Sequence, residues 1–472
     1  MLHFILNDQS IETDLAPGST VLDFVRYNKR LTGTKIGCRE GDCGACMVLV
    51  GEIENDKLLY RSMTSCLMTL VNARGKHIVT VEGINGPALT TVQQAMTDTN
   101  GTQCGFCTVG FVMSLTGFVL EATANKYEEA VASIDGNICR CTGYKSIQRA
   151  AEILAVKMAT KPQKGQMQWL ADHNFIPDYF LGIKERLLEL RKINSTHSIW
   201  AEEDMVVGGG TDLVVQHPLA VKRSLINPVF DAEVMKGIRV VQDKCFIGAS
   251  VTVSDFADSK WTRSIFPDLK KYIKLISSTP IRNMATLAGN LVNASPIGDM
   301  SVFFLALNAI IVLINGNKRR EIKLNDFYKA YKKTDLAPGE LIETIYFTIP
   351  DKNDLFGFEK VCKRTHLDIA SVNFACHVQF NEDHTIKFAH LAAGGVAPYP
   401  KYLAGTGAFL QNKKLSAETL SEAVSVIRSE IAPISDARGS KEYKEILCGQ
   451  LFLAHFSTPE ELIRQTLSLV HQ

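Results

Sequence analysis

The chain has 472 residues, of which 46% are hydrophobic and 21% are charged, and its formal net charge is +1. At roughly 150 residues per domain this length predicts about three globular domains, and the balanced charge gives no indication of a nucleic-acid partner. The N-terminal stretch "MLHFILNDQSIETD" lacks a basic region, and no run of 18 apolar residues occurs. We therefore expect no signal peptide, no membrane partner and a cytoplasmic location, where disulfides are disfavoured.

Residues 1–84 are predicted to form a small mixed domain of strands and one helix. Residues 3–14 alternate like two strands around an Asn-Asp turn, and "PGST" precedes an amphipathic segment with Ser19 or Thr20 as its helix cap. Three later runs have strand character: "MVLVGEI", "KLLYRSM" and "KHIVTVEGI" (76–84).

Residues 85–159 change to helical spacing and predict a compact helical domain. Its candidate helices are "TVQQAMTD", "GFVMSLTGFVLEA", "YEEAVASID" and "IQRAAEILAVKMA". The stretch 160–172 begins with polar residues, Pro and Gly, and is predicted as an interdomain linker.

The rest of the chain divides into two further predicted domains. Residues 173–352 alternate helices and strands, and residues 353–472 begin with three strand-like runs followed by helices. No internal repeat is visible.

Twelve cysteines need an explanation other than disulfides, and eight of them fall within the first 141 residues. The other four are scattered singly, which is typical of small buried hydrophobic side chains. These four are Cys245, Cys362, Cys376 and Cys448.

The first cysteine set has the spacing C-x4-C-x2-C at Cys38, Cys43 and Cys46, and nineteen residues separate Cys46 from Cys66. This spacing is that of plant-type [2Fe–2S] proteins. Glycines at positions 37, 41 and 44 allow the backbone to curl so that its N–H groups face the sulfurs. A zinc site would usually pair two C-x2-C units, and only one is present here.

The second set consists of Cys104 and Cys107 at the head of one predicted helix, and Cys139 and Cys141 before the next. Two cysteine pairs at helix N-termini make a four-thiolate site whose negative charge the helix dipoles favour. This pattern alone is weaker than the first and leaves zinc open as an alternative.

Two further segments suggest a ligand with phosphates. "DMVVGGGTDLVVQ" (204–216) is an apolar strand that runs into three glycines, whose amides can approach a diphosphate, although a plain turn is an equal alternative. "STPIRNMATLAGNLVNASPIGDM" (278–300) has few large side chains and suits a backbone-lined cleft.

These motifs resemble the molybdenum hydroxylase family, which includes xanthine dehydrogenase and aldehyde oxidase. "GCREGDCGACMV" resembles the family's ferredoxin domain, and "TQCGFCTVGFVMS" with "GNICRCTGYKSI" resembles its second [2Fe–2S] domain. The glycine segments resemble its FAD domain. One departure is Val109, where family members usually have Pro.

The resemblance implies roles for individual residues. Gln103 would hydrogen-bond the pterin of the molybdenum cofactor, and Lys360 would lie near the flavin pyrimidine edge. Ile276 stands where eukaryotic members carry a Phe that stacks on the flavin. The remaining FAD residues that the resemblance implies are, for the diphosphate, Val206, Val207, Gly208, Gly209, Gly210, Thr211, Asp212 and Leu213; near the adenine-linked phosphates, Thr286, Gly289 and Asn290; for the dinucleotide, Asp299; and for packing on the flavin or adenine, Ile342.

The implied fold is a multidomain α+β chain: a β-grasp ferredoxin-like domain, a helical-bundle [2Fe–2S] domain, an α+β FAD-binding domain, and a C-terminal α+β domain with a three-stranded sheet plus helices. The implied protein is the small subunit of a bacterial enzyme of the xanthine dehydrogenase branch. A large molybdenum-binding subunit would carry the molybdopterin cofactor and the substrate site, so no catalytic residue is expected in this chain, and the complex would be a dimer of heterodimers.

The implied activity is electron transfer during purine oxidation. Electrons would leave molybdenum, pass the Cys104/Cys107/Cys139/Cys141 cluster and then the Cys38/Cys43/Cys46/Cys66 cluster, and reach FAD, which reduces NAD. Three alternatives remain at this point: a stand-alone iron–sulfur flavoprotein NADH reductase, a related hydroxylase of another N-heterocycle or an aldehyde, and a zinc-stabilised interaction module.

Overall fold

The computed structural model describes residues 1–121, 123, 125–193, 205–364 and 368–456. The chain forms two compact units. The first unit comprises Met1–Asp231 and Ser278–Ala285, and the second comprises Ala232–Ser277 and Thr286–Gln472. The unit boundaries cut through the region predicted as the FAD domain, and the predicted domain bounds remain predictions.

The first unit begins with a five-stranded mixed sheet, in agreement with the β-grasp prediction. Asn7, with φ of 53°, turns the first strand back on the second, and the first strand also pairs in parallel with the strand at 77–79. The strands in sheet order are Gln9–Thr13, Leu2–Leu6, His77–Val79, Met47–Glu54 and Lys57–Thr64.

The predicted strand at 76–84 is only partly correct. The strand spans His77–Val79, and Val81–Ile84 forms a 3-10 turn. The strand ends there because the Thr80 N–H donates to a side chain, Asn7 Oδ1 at 2.9 Å, and does not extend the sheet ladder.

A short helix and a helical turn cover the sheet before the first cysteine set. The helix Val21–Asp23 continues into the π-helical turn Phe24–Asn28, and the Asp23 N–H donates to the Thr20 hydroxyl, which caps the helix as predicted. Further along, the helix Leu70–Ala73 follows Cys66 directly.

The helical part of the first unit follows the predicted periodicity. Its helices are Thr91–Asp98, Thr108–Leu120, Tyr127–Ser133 and Lys145–Met158. Within the stretch 160–172, predicted as a linker, Gln166–Asp172 forms a helix. Leu170, Phe175 and Phe180 are buried in the same core as Phe111 and Ile147. Apolar residues beyond the polar stretch therefore complete this core.

The remainder of the first unit carries the glycine segment. Met205–Val207 and Ile226–Pro228 pair as short parallel strands. Val214, Val221 and Met284 are buried in one core with Leu67 and Leu70, beside the first cysteine set. The helices here are Ile183–Ile193, Leu213–Gln216, Pro218–Arg223 and Thr279–Arg282, with a 3-10 turn at Asp178–Gly182.

The second unit contains two antiparallel sheets. The first, in sheet order, is Lys318–Lys323, Ile310–Asn315, Leu341–Thr348, Lys244–Gly248 and Ile238–Val241. The second is Leu355–Val361, Val372–Phe380, Ile386–Gly394 and the two-residue strand Lys401–Tyr402, which adds a fourth strand to the predicted three. Tyr328–Ala330 and Lys333–Thr334 form a small separate ladder.

Helices surround these sheets. The helices Ala404–Leu410, Ala417–Glu430 and Lys441–Ala454 share an apolar core with the four-stranded sheet, as the prediction of strands followed by helices requires. The other helices are Val253–Asp258, Lys260–Ile265, Leu269–Lys274, Leu287–Asn293, Asp299–Ala306 and Leu324–Phe327. The multidomain α+β prediction is confirmed. Among the described residues, no helix has the length and hydrophobicity that a bilayer crossing requires.

Candidate iron–sulfur and flavin sites

The first cysteine set gathers around the loop that precedes the strand Met47–Glu54. The Cys38 thiol pairs with that of Cys43, and the Cys46 thiol pairs with that of Cys66. Cys38 also interacts electrostatically with both members of the second pair, so that the four sulfurs form one group.

Backbone N–H groups face these sulfurs. The Cys38 N–H donates to Cys43 Sγ at 3.4 Å, and the Glu40 N–H donates to Cys38 Sγ at 3.3 Å. Hydrogen bonds of this kind stabilise thiolate sulfur, the form that binds metal.

Within each thiol pair the hydrogen bond between the sulfurs lowers one pKa and raises the other. The hydrogen bond from the Cys43 thiol lowers the pKa of Cys38 to about 5, although burial opposes this, and the same bond raises the pKa of Cys43. In the buried pair, Cys66 likewise lowers the pKa of Cys46 while its own pKa rises. Because cysteine binds metal as the thiolate, the binding of a cluster releases any protons that these thiols still carry.

The second cysteine set lies at two helix starts, as predicted. Cys107 is the N-cap of Thr108–Leu120, and the helix Lys145–Met158 begins four residues after Cys141. Cys107 pairs with Cys139, and Cys104 pairs with Cys141. Cys104 and Cys141 are exposed, whereas Cys139 is buried.

Thr142 and Tyr144 hold the second set in place. The Thr142 N–H donates to Cys139 Sγ at 3.4 Å, and the Thr142 hydroxyl lies 3.1 Å from the same sulfur. The Cys139 N–H donates to the Tyr144 hydroxyl at 3.0 Å. Burial raises the pKa of Cys139, but the bonds from Thr142 outweigh it and the pKa is lowered, whereas burial and Cys139 raise the pKa of Cys107 to about 12.

Both sets divide into two pairs of thiols, which fits a [2Fe–2S] cluster because its two irons take two thiolates each. In the described part of the chain, no group of three or more His, Cys, Asp or Glu side chains is placed to hold a single metal ion.

The two cysteine sets are joined through the backbone. The Ile138 N–H, next to Cys139, donates to the Cys43 carbonyl at 3.1 Å. Asn137 Nδ2 donates to the Gly44 carbonyl at 3.4 Å, and Asn137 Oδ1 accepts from the Ser114 hydroxyl at 2.7 Å. One hydrogen bond therefore connects a ligand candidate of the first set with the neighbour of a ligand candidate of the second.

Glycine permits this close approach. Gly44 has φ of +69°, and a Cβ there would lie 2.4 Å from the Gly136 carbonyl oxygen. The contact is with backbone, which cannot rotate away, so a side chain at position 44 would push the two loops apart.

A buried ion pair fixes the segment Ser278–Ala285 to the helical part of the first unit. The Arg282 guanidinium lies 3.0 Å from Asp135 Oδ2, and the two side chains are 11% and 14% exposed. The Thr279 N–H donates to Asp135 Oδ1 at 2.8 Å. Asp135 directly precedes Gly136 and Asn137, the residues that contact the first cysteine loop.

We expect Arg282→Met to lower the free energy of unfolding of the first unit by about 3 kcal/mol, because it leaves a buried carboxylate without its cation. Urea denaturation followed at the cluster absorbance measures the change. The matched control is Arg263→Met, whose partner Asp258 and own side chain are mostly exposed, so a change below about 1 kcal/mol is expected there. Equal losses of stability in the two variants would show that the ion pair of Asp135 contributes no more than an exposed ion pair.

The glycine segment of the first unit is built around Gly208–Gly210. A Cβ on Gly209 would lie 1.7 Å from the Met284 carbonyl oxygen, and Gly210 has φ of +81°. Within the described part of the chain, the N–H groups of Gly209, Gly210 and Thr211 make no hydrogen bond. Consecutive free N–H groups in a tight turn fit an anionic diphosphate. Val206, Val207, Asp212 and Leu213 flank this turn, and Val207 is buried.

In the second unit, Thr286 and Asn290 stabilise the helix Leu287–Asn293. The Thr286 hydroxyl accepts from the Gly289 N–H at 3.2 Å and caps Leu287–Asn293. Asn290 Oδ1 accepts from the Ser301 N–H at 3.1 Å, which ties this helix to Asp299–Ala306. Gly289 is exposed at the surface.

Asp299 and Lys360 lie together with Asn373. The Lys360 ammonium is 2.8 Å from Asp299 Oδ2 and also donates to the Leu275 carbonyl at 2.8 Å. Asn373 Nδ2 donates to Asp299 Oδ1 at 2.6 Å. Asn373 Oδ1 is buried without a hydrogen-bond partner among the described residues. A buried charge pair beside an unsatisfied amide oxygen is a polar environment that a flavin with N–H groups could complete.

Three other predicted residues occupy different surroundings. Ile342 is buried in the five-stranded sheet of the second unit, opposite Leu313. Ile276 is also buried, with 3% of its surface exposed. Gln103 is exposed beside Cys104 in the first unit.

Of the four scattered cysteines, Cys245, Cys376 and Cys448 are fully buried, as predicted for small hydrophobic side chains. The prediction is wrong for Cys362, which is partly exposed and whose thiol donates to the Arg364 carbonyl at 2.6 Å. It follows the strand Leu355–Val361, where the chain leaves the sheet.

Several residues that support these sites were not found from the sequence. Asn137 stands inside the quoted motif "GNICRC", so its position next to the cysteines was a usable signal. Asp135, Arg282 and Asn373 carry no local pattern, because their partners are 147 and 74 positions away in the chain.

Four family models match the chain in order. They are a 2Fe-2S iron-sulfur cluster binding domain over residues 4–71, a [2Fe-2S] binding domain over 80–152, an FAD binding domain in molybdopterin dehydrogenase over 186–351, and a CO dehydrogenase flavoprotein C-terminal domain over 358–458. The models agree with the order of domains that the motifs predicted.

Similar proteins include xanthine dehydrogenases. That of Blastobotrys adeninivorans is 28% identical over 560 residues, covering 95% of this chain and 40% of the relative. That of Emericella nidulans is 28% identical over 488 residues, covering 88% of this chain and 35% of the relative. The chain thus spans two fifths or less of the length of these curated relatives.

Among solved structures, a Cu,Mo-CO dehydrogenase in its cyanide-inactivated form is similar with a TM-score of 0.50 and 26% identity. The match covers 53% of this chain and 87% of that chain. The fold and the domain matches define an iron–sulfur flavoprotein. Together the four matches support a chain of the molybdenum hydroxylase type that carries iron–sulfur and flavin domains, and the chain is similar to xanthine dehydrogenases and to a CO dehydrogenase.

Proposed function

We propose that this chain is the electron-transfer subunit of a xanthine dehydrogenase, which passes electrons from a molybdenum site on a large partner subunit to NAD. The observation that carries the proposal is the hydrogen bond from the Ile138 N–H to the Cys43 carbonyl, which links two four-cysteine sets in one compact unit. A protein with one storage or structural cluster has no need for two sets joined in this way.

Each set of residues has a proposed ligand. The two cysteine sets would each hold a [2Fe–2S] cluster, and Val206–Leu213 would hold the FAD diphosphate. Thr286, Gly289 and Asn290 would lie near its adenine-linked phosphates, and Ile342 would pack on its rings. When bound, the clusters carry single electrons and the flavin converts them into a hydride for NAD.

The surroundings of the second set support a partner on that side. Cys104 and Cys141 are exposed, and so are their neighbours Gln103 and Phe106. A cluster that receives electrons from another chain has to lie near the surface. Gln103 would donate to the pterin of the molybdopterin cofactor on the partner subunit.

Lys360 provides a prediction about the flavin. A buried cation near the flavin favours its reduced, anionic form, so we expect Lys360→Met to lower the two-electron midpoint potential. An interaction of about 1.4 kcal/mol corresponds to about 30 mV in such a couple. The matched control is Lys271→Met, which removes a mostly exposed cation paired with the neighbouring Glu359 and should leave the potential within a few millivolts. Equal shifts in both variants would contradict the assigned position of Lys360.

The proposed function is tested on the complex purified through this chain from its own cells. Anaerobic xanthine should bleach the flavin and cluster bands, and NADH should bleach the same bands. If NADH alone bleaches them, the substrate assignment fails. Molybdenum content then distinguishes a hydroxylase of another substrate from a stand-alone reductase.

A further inference from the structure

We propose that Asn72, a residue of the ferredoxin-like fold, positions the glycine turn that receives the FAD diphosphate. Asn72 lies on the helix Leu70–Ala73, six residues after Cys66, and is 2% exposed. Its Nδ2 donates to the Gly208 carbonyl at 2.8 Å. The proposal rests on the FAD site proposed above and adds a residue outside the FAD-binding segments.

Only the donor end of the Asn72 side-chain amide makes a hydrogen bond with the described residues. Its Oδ1 is buried and has no hydrogen-bond partner among the described residues. A flipped amide would place its oxygen against the Gly208 carbonyl oxygen, and the hydrogen bond to Gly208 would be lost. A buried amide that satisfies only one of its two ends is costly, and a role for the bond to Gly208 accounts for its presence.

The bond to Gly208 determines which way the next N–H group faces. In a trans peptide the C=O and N–H point in opposite directions, and the described residues contain no cis peptide bond. Since the Gly208 carbonyl points toward Asn72, the Gly209 N–H points away from it. This is one of the free N–H groups of the turn, and it remains available to an anion.

The same turn also lies close to the segment that follows Cys66. A Cβ on Gly210 would lie 2.7 Å from the carbonyl oxygen of Leu67, the residue after Cys66. Val214 and Leu70 are buried in one core. The turn therefore packs on the segment 66–73. We expect FAD binding at the turn to stabilise this segment as well.

The test uses the full chain with its clusters, after FAD has been removed and titrated back. We expect Asn72→Leu to weaken FAD binding about tenfold, the effect of one buried hydrogen bond. Iron should stay at about four per chain, and the thermal midpoint of the FAD-free protein should fall by only a few degrees, because one hydrogen bond is lost. Asn72→Asp, which cannot donate when ionised, should weaken binding at least as much.

The matched control is Thr69→Val in the same segment. Thr69 is fully buried and its hydroxyl has no partner among the described residues, so FAD affinity should stay within about twofold. If the wild-type chain binds FAD and both Asn72 variants bind it equally well, the role of Asn72 is refuted while the proposed function stands. If the wild-type chain binds no FAD, the proposed function itself fails.

A measurement on the unaltered chain covers the case in which both variants lose iron and fail to fold. Adding FAD to the FAD-free protein should slow amide hydrogen exchange at residues 67–74 as well as at 205–216. Slower exchange at 205–216 alone would overturn the proposal.

Discussion

Replacing Cys66 with serine should halve the iron content, from about four to about two atoms per chain, and should stop electron flow from xanthine to NAD. The reason is that a [2Fe–2S] cluster needs four thiolates, and serine supplies a hydroxyl in place of one of them. Cys66 closes the first set from the far end of the strand Lys57–Thr64 and is 3% exposed. The measurements are iron analysis and anaerobic reduction by xanthine.

The second cluster should survive this change, because Cys104, Cys107, Cys139 and Cys141 are untouched. The matched control is Cys245→Ala, which removes an equally buried thiol in the second unit and should keep about four irons. Full iron content in the Cys66 variant, or loss of iron in the Cys245 control, would contradict the ligand assignment.

Gly44→Ala should both destabilise the first unit and slow electron exchange between the clusters. An L-residue with φ near +69° costs about 1–2 kcal/mol. A methyl group 2.4 Å from the Gly136 carbonyl oxygen adds about 1–3 kcal/mol of overpacking. The loops must separate to relieve the contact, which stretches the hydrogen bond between Ile138 and Cys43.

Gly165→Ala separates the two contributions. Gly165 has φ of +67°, and a Cβ there would meet nothing within 4 Å, so only the backbone cost of about 1–2 kcal/mol is expected. Anaerobic urea denaturation gives the difference in stability, and rapid-mixing spectroscopy of the two clusters gives the exchange rate. Equal destabilisation by both substitutions and an unchanged exchange rate would show that the two loops do not need Gly44.

The sequence predicted best where spacing alone determines chemistry. The eight cysteines follow from short-range spacing, and the structure brings them into two groups of four. The helices at 108–120 and 145–158 follow from apolar periodicity. Such signals lie within a few residues of each other, so a single sequence contains them.

The sequence predicted least where distant segments meet. The bond from Asn72 to Gly208 joins residues 136 positions apart, and neither residue stands out by itself. The strand predicted at 76–84 ended early because Asn7, far away in the chain, captures the Thr80 N–H. The helix Gln166–Asp172 was not predicted, because the polar residues before it indicated a linker. Its Leu170 is nevertheless part of the helical core.

The central claim is that this chain carries two separate [2Fe–2S] clusters. Low-temperature EPR of the purified protein during stepwise anaerobic reduction by dithionite tests it most directly. The account predicts two distinguishable [2Fe–2S] signals, each integrating to about one spin per chain, with about four irons in total. A single signal, or a colourless protein that contains zinc instead of iron, would contradict it.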